Sequence, residues 1–168
     1  NTSADAVSCS VAAAGHYSLG TYDLNGANYP AISETDCVAG TWQNETGKSS
    51  CKDAESGYYS PGSSPNPAII QTPCAAGKYQ ASTGQSFCDH ADVGYYSPGT
   101  AAFSATLGWA NATAQIPCEA GTYSSQATSL VFGLSGAASC TDVAAGHYSL
   151  GTYDLNGVNY PATSQTAC

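Results

Sequence analysis

The chain has 168 residues, of which 9% are charged, and twelve acids against three bases give a net charge of −9. Such a surface repels a phosphate backbone and offers no polybasic contact to a bilayer, so neither nucleic acid nor a membrane surface is an expected partner. Leu, Ile, Val and Phe together number 21, below the roughly 20% that marks an ordinary globular interior, so one aliphatic core is excluded as the source of stability.

Covalent stabilisation is what remains. Eight cysteines occur at regular spacing with no Cys-x-x-Cys pair, which reads as a disulfide framework and not as a zinc site. An oxidising compartment follows, and with it an extracellular location. No apolar run approaches the 18 or so residues of a membrane span, so no membrane insertion is expected. Asn1 does not open a signal peptide, so the leader expected of a secreted chain has already been removed or lies upstream.

Taken in order, the cysteines divide the chain into two alternating kinds of segment, each carrying a Gly-x-aromatic motif. In long segments the glycine lies six residues after the cysteine (9–37, 51–74, 88–118, 140–168), and in short segments three residues after it (37–51, 74–88, 118–140). Seven copies result, with Gly15, Gly40, Gly57, Gly77, Gly94, Gly121 and Gly146 preceding Tyr17, Trp42, Tyr59, Tyr79, Tyr96, Tyr123 and Tyr148. Units this small cannot bury a core alone and are expected to stack. The expected units are 9–50, 51–87, 88–139 and the first half of a fourth at 140–168, with 1–8 as the tail of a preceding one. A longer period is superimposed: residues 143–168 repeat 12–37 with 21 of 26 positions identical. The chain therefore reads as a window on a longer array, in which Cys168 is followed by something like Val38-Ala39-Gly40-Thr41-Trp42.

Secondary structure is expected to be short strands and turns, with almost no helix. Asn25-Gly26 and Asn156-Gly157 between Tyr and Leu predict two-residue type I′ hairpins. Ser-Pro-Gly at 60–62 and 97–99 and the Ser-Pro-Asn-Pro run at 64–67 predict turns. Each aromatic is expected to pack on the neighbouring disulfide, with its glycine letting another backbone pass close by. The fold class is thus a small, disulfide-rich, hairpin- and turn-rich tandem repeat forming an elongated rod.

Candidate chemistry is sparse. Asn1, Asn44 and Asn111 head N-glycosylation sequons, and Ser and Thr near Pro and Gly suit O-glycans. Covalent glycans are expected, no other cofactor is, and a sugar coat would account for the scarcity of charge. Asp23, Asn25 and Asn28, repeated at 154–159, could offer oxygen ligands to calcium, but they lack the bidentate glutamate of an EF-hand, and a hairpin with Asx turns explains them at lower cost. His16 and His147 occupy one repeat position, so neither reads as a unique catalytic base. His90 and the paired tyrosines at 58–59 and 95–96 read as structural, although such tyrosines could also stack on sugars. No nucleophile elbow, zincin motif or P-loop occurs, and no enzyme is expected.

The runs C-A-A-G-K-Y…G-Q-S-F-C (74–88) and C-E-A-G-T-Y-S…S-C (118–140) resemble the ephrin-receptor-like cysteine-rich repeat, a relative of EGF and TNF-receptor modules. In that family successive units meet at Cys-x-x-Cys. Here Ala12, Ala54, Ala91 and Val143, and Glu34, Gln71, Gln115 and Gln165, stand where the second cysteines would be. If each unit joins its opening to its closing cysteine, long segments have lost both partners together. The resemblance then implies Cys37–Cys51, Cys74–Cys88 and Cys118–Cys140, with Cys9 and Cys168 paired outside the chain. The rival pairing within long segments, Cys9–Cys37, Cys51–Cys74, Cys88–Cys118 and Cys140–Cys168, uses every cysteine and stays open. Tandem units of this kind imply an extracellular structural glycoprotein that builds a filament from head-to-tail copies, or the repeat stalk of a receptor or adhesin.

Overall fold

In a computed structural model, residues 10–20, 22–24, 27–29, 33–62, 66–100, 102–104, 108–110, 112–125 and 136–168 are described. Among them there is no helix, and the strands form ten two-stranded antiparallel ladders. The protein is a small, disulfide-rich, β-hairpin fold.

The glycine of each copy explains the local structure. A β-turn spans residues 13–16, 38–41, 55–58, 75–78, 92–95, 119–122 and 144–147, each closed by an N–H to carbonyl bond of 2.9–3.1 Å between its ends. Glycine occupies the third position with φ between +78° and +89°, which is the type II geometry that excludes a Cβ. The two residues after the glycine then form a strand, such as Thr41–Trp42 or Tyr58–Tyr59. In short segments it pairs with the two residues after the closing cysteine (Thr41↔Asp53, Trp42↔Lys52). In long segments it pairs with the two before the next cysteine (Tyr58↔Pro73, Tyr59↔Thr72). All seven copies follow this rule.

Three further hairpins rise from long segments. Tyr153–Leu155 pairs with Val158–Tyr160, leaving the two-residue loop Asn156-Gly157 at φ +53° and +78°, as the type I′ expectation requires. Tyr22–Leu24 and Ala27–Tyr29 show the same register, with residues 25–26 outside the described set. Ala102–Ser104 and Gly108–Ala110 make the third.

The interior is made of small groups, as the aliphatic count demands. Cys37, Cys74, Cys118, Ala54, Ala91 and Ala112 are all at most 1% exposed, as are Ser60 and Ser97. Tyr59 and Tyr79 pack against the buried cluster of Cys74, Cys88 and Ala112. Backbone hydrogen bonds and disulfides replace a hydrophobic core.

Candidate assembly interface at the ends of the repeat ladder

Three disulfides close the short segments: Cys37–Cys51, Cys74–Cys88 and Cys118–Cys140, with Cα atoms 5.7–5.8 Å apart. Cys168 is free and exposed, and Cys9 lies outside the described residues. The pairing of Cys51 with Cys74, Cys88 with Cys118 and Cys140 with Cys168 is not formed.

Long segments carry a noncovalent clasp at the same place. Gln71 precedes the second strand of its copy as Cys51 does, and Ala54 lies three residues before its glycine as Cys37 does. The Gln71 Oε1 accepts the N–H of Glu55 at 2.7 Å while its Nε2 donates to the Glu55 carboxylate at 3.2 Å. Gln115 grips Asp92 in the same two ways, at 2.6 and 2.9 Å. Gln165 accepts from Ala144 N–H, and the Glu34 carboxylate from Ala13 N–H, each at 2.7 Å. Alternate copies are therefore held by a covalent staple and by a side-chain clasp. Sequence reading found these positions as lost cysteines but not as replacements.

A second set of bonds joins each copy to the next. The turn glycine N–H donates to the carbonyl of the residue after the next copy's aromatic: Gly15 to Gln43, Gly40 to Ser60, Gly57 to Gln80, Gly77 to Ser97, Gly94 to Ser124 and Gly121 to Ser149, at 2.7–3.0 Å. Ser60, Ser97 and Ser149 also donate their hydroxyls back to Thr41, Lys78 and Thr122 carbonyls, each at 2.8 Å. Of these, Ser60 and Ser97 were legible only as turn residues, and Ser149 carried no expectation. Their signal is recurrence one place after the aromatic. In two short copies that place holds Gln43 or Gln80, whose amide instead bonds Ser50 or Phe87 carbonyl inside its own 14-residue loop. Ser124 is too short for that reach, and its buried hydroxyl has no partner among the described residues.

Copies also touch their second neighbours. A Cβ on Gly40 would lie 2.2 Å from the Gly84 carbonyl oxygen, and one on Gly77 would lie 2.1 Å from that of Gly136. Both are far inside van der Waals contact, so the backbone of a copy two steps on occupies the space a side chain would need. This is the close approach that the repeated glycine permits.

Burial of each turn glycine follows the number of described copies that come after it. Gly15, Gly40, Gly57, Gly77 and Gly94 are buried, Gly121 is half-buried, and Gly146 is exposed. The first five have two following copies, Gly121 has one, and Gly146 has none. A Cβ at either of the last two would meet nothing within 4 Å. Tyr148 is 47% exposed, whereas its six counterparts are all half-buried. At the N-terminal end the Ser18 carbonyl accepts no bond among the described residues.

The remaining candidates have structural places. The exposed Asn44 accepts from Lys52 Nζ at 3.1 Å, which leaves its amide nitrogen free of partners among the described residues. In the same loop Lys48 pairs with Glu45 at 2.7 Å, and the Lys52 ammonium sits 5.0 Å from the Trp42 ring centroid. Hydrogen bonds from Lys48 and Lys52 hold the Glu45 carboxyl below its ordinary range. Asn1, Asn25 and Asn111 lie outside the described residues, and Asp23 and Asn28 fall on the strands of the first hairpin. In the repeat of that hairpin, the Asp154 carboxylate accepts Gly157 N–H at 3.1 Å and the Asn159 amide bonds the Tyr95 hydroxyl. Among the described residues no group of three His, Cys, Asp or Glu is placed to hold a metal, and no helix is long and apolar enough to cross a membrane.

The histidines divide by repeat. His16 Nε2 lies 3.0 Å from the Asp36 carboxylate and 3.9 Å from that of Glu34. In the last copy those acids are Ala167 and Gln165, and His147 keeps only the contact that both histidines make, Nδ1 to the carbonyl two residues back, at 3.2 Å to Ala145 and 3.1 Å to Ala14 in the first copy. His90 Nδ1 accepts the N–H of Gly136 at 3.0 Å, a link between distant segments. Burial, followed by the charge of Lys78, lowers the His90 pKa and so favours the neutral ring that can accept. Burial, reinforced by Asp92 and Asp89, raises that of Tyr79.

No protein-family model matches the chain, and no curated protein matches it.

Proposed function

We propose that this chain is a segment of an extracellular structural glycoprotein in which tandem copies, joined head to tail, build a filament. The observation that carries the proposal is the repetition of one joint six times, with the same donor and acceptor at every step from copy to copy. A closed oligomer uses up such surfaces, whereas a heterologous contact that does not close on itself propagates. Three disulfides suit an oxidising, extracellular setting. The clasps support a reading of the copies as degenerate relatives of the ephrin-receptor-like repeat, since they occupy the positions of its missing cysteines. N-linked glycans on Asn44 and Asn111 complete the proposal, solubilising a surface with few charges.

Electron microscopy of the native material tests the architecture. Fibres with an axial repeat set by the copies support it. Single particles carrying this segment as the stem of a separate ligand-binding domain would replace it with the receptor-stalk reading. Intact mass before and after glycosidase treatment tests the glycans, and a bare mass of 16.9 kDa for the native segment would remove them.

A further inference from the structure

The two tryptophans of the chain stand at one spacing from a sequon. Trp42 lies two residues before Asn44 in Trp-Gln-Asn-Glu-Thr, and Trp109 two residues before Asn111 in Trp-Ala-Asn-Ala-Thr. Trp42 occupies the aromatic place of the Gly-x-aromatic motif, which the six other copies fill with tyrosine. Two residues past those tyrosines stand Leu19, Pro61, Ala81, Pro98, Ser125 and Leu150, never an asparagine. The larger indole is thus found only in the copy that has a glycan acceptor beside it.

The backbone sets this pair side by side. Trp42 ends the strand Thr41–Trp42, and side chains two apart on an extended chain project to one side. Gln43, between them, turns inward: it is 2% exposed, and its Nε2 donates to the Ser50 carbonyl at 3.0 Å. Asn44 is exposed. One ammonium reports how near the two outward groups lie, since Lys52 Nζ donates to Asn44 Oδ1 at 3.1 Å while sitting 5.0 Å from the Trp42 ring centroid. That bond engages the amide oxygen and leaves Nδ2, the atom that carries a sugar, without a partner among the described residues.

We propose that the Trp42 indole is the seat of the first sugar of an Asn44-linked glycan, and that Trp109 plays the same part for Asn111. The proposal rests on N-glycosylation of these sites and adds a packed contact to it. The ligand is a β-linked pyranose of gluco configuration, such as an N-acetylhexosamine, which carries its axial hydrogens on one face. Those C–H bonds are apolar and weakly positive, so they settle on the negative face of the indole for the reason the ammonium does. An ammonium is strongly hydrated and a C–H face is not. The sugar therefore replaces Lys52 over the ring, and Lys52 keeps the Glu45 carboxylate, 3.3 Å away. The first sugar becomes part of the fold, holding the loop between Cys37 and Cys51 against its own strand.

The test uses the full chain secreted from a glycosylating host, with peptide mass mapping to locate the glycan and an endoglycosidase to trim it to its first sugar. In proton NMR, the ring protons of that sugar are expected upfield of their positions in free glycosyl-asparagine, with nuclear Overhauser contacts to the Trp42 indole. Thr46→Ala removes the sequon while keeping the bond between Asn44 and Lys52, and is expected to lower Tm by roughly 2–4 °C. Trimming to one sugar is expected to leave Tm unchanged. In a Trp42→Leu background, which lacks the π face, Thr46→Ala is expected to cost nothing further. The sugar shifts are read on the native sequence, so they decide the matter even where the leucine variant does not fold. Free-sugar shifts without indole contacts, or an equal Tm loss in both backgrounds, would overturn the proposal while leaving Asn44 glycosylated. A bare Asn44 would overturn the glycan reading itself, and this proposal with it.

Discussion

Replacing a clasp by a staple is the most direct test of how the copies are held. Ala54→Cys with Gln71→Cys puts cysteines at positions equivalent by strand register to Cys37 and Cys51, whose Cα atoms are 5.7 Å apart. Ala54 is fully buried, as Cys37 is, so the new sulfur enters a place whose counterpart already holds one. Closing a loop of about 17 residues stabilises by roughly 3 kcal/mol on the chain-entropy account. Losing the exposed Gln71 clasp, with its two hydrogen bonds, costs about 1 kcal/mol. The net gain of about 2 kcal/mol corresponds to a rise in Tm of roughly 4–8 °C for a chain of this size. Thiol titration and mass spectrometry report whether the fourth bridge forms, and thermal melts with and without reductant report its worth. Free thiols at 54 and 71 under conditions that form the three native bridges would refute the equivalence. A bridge with no thermal gain would refute the energetic argument.

Other perturbations separate the interior from the last copy. Gly77→Ala and Gly146→Ala share a positive φ, yet only the first drives a methyl to 2.1 Å from a backbone oxygen. Gly146→Ala is expected to cost about 1–2 kcal/mol in denaturant melts for the left-handed backbone alone, and Gly77→Ala distinctly more. His90 has its pKa lowered in the folded chain, so the stability it contributes is present above the unfolded value of about 6.5 and is lost as pH falls through the folded value. Protection of the Gly136 amide, measured relative to its intrinsic exchange rate at each pH, should therefore fall on acidification below about pH 6.5, and a His90→Asn variant should flatten that dependence. Reducing the three bridges removes about 3 kcal/mol each, which should abolish protease resistance at neutral pH. Unchanged resistance would mean that the backbone ladders hold the copies unaided.

What the sequence disclosed was governed by local stereochemistry. Gly-x-aromatic marked each copy because a type II turn needs glycine at its third position. Asn156-Gly157 marked a hairpin because both residues must adopt positive φ. What it withheld depends on contacts between copies. Gln71 and Gln115 read as absent cysteines because nothing local says that an amide will reach across to a backbone N–H. Ser60 and Ser97 stood in Ser-Pro-Gly and read as turn residues, although each is fully buried with its hydroxyl bonded to the preceding copy. The second-neighbour approach over Gly40 and Gly77 had no sequence signal beyond the glycines, whose turn already accounted for them.

The alternation of staple and clasp gives the chain a graded response to tension. Pulled from its two ends, a stapled copy cannot lengthen beyond its bridge, because its cysteine Cα atoms stay 5.7–5.8 Å apart. A clasped copy has no such stop. The 22 residues between Cys51 and Cys74 can pay out to roughly 80 Å once the Gln71 clasp and its short ladder give way. Stretch is thereby confined to the long segments, dissipating work by breaking hydrogen bonds that reform on release, while the short segments preserve the register to which they return.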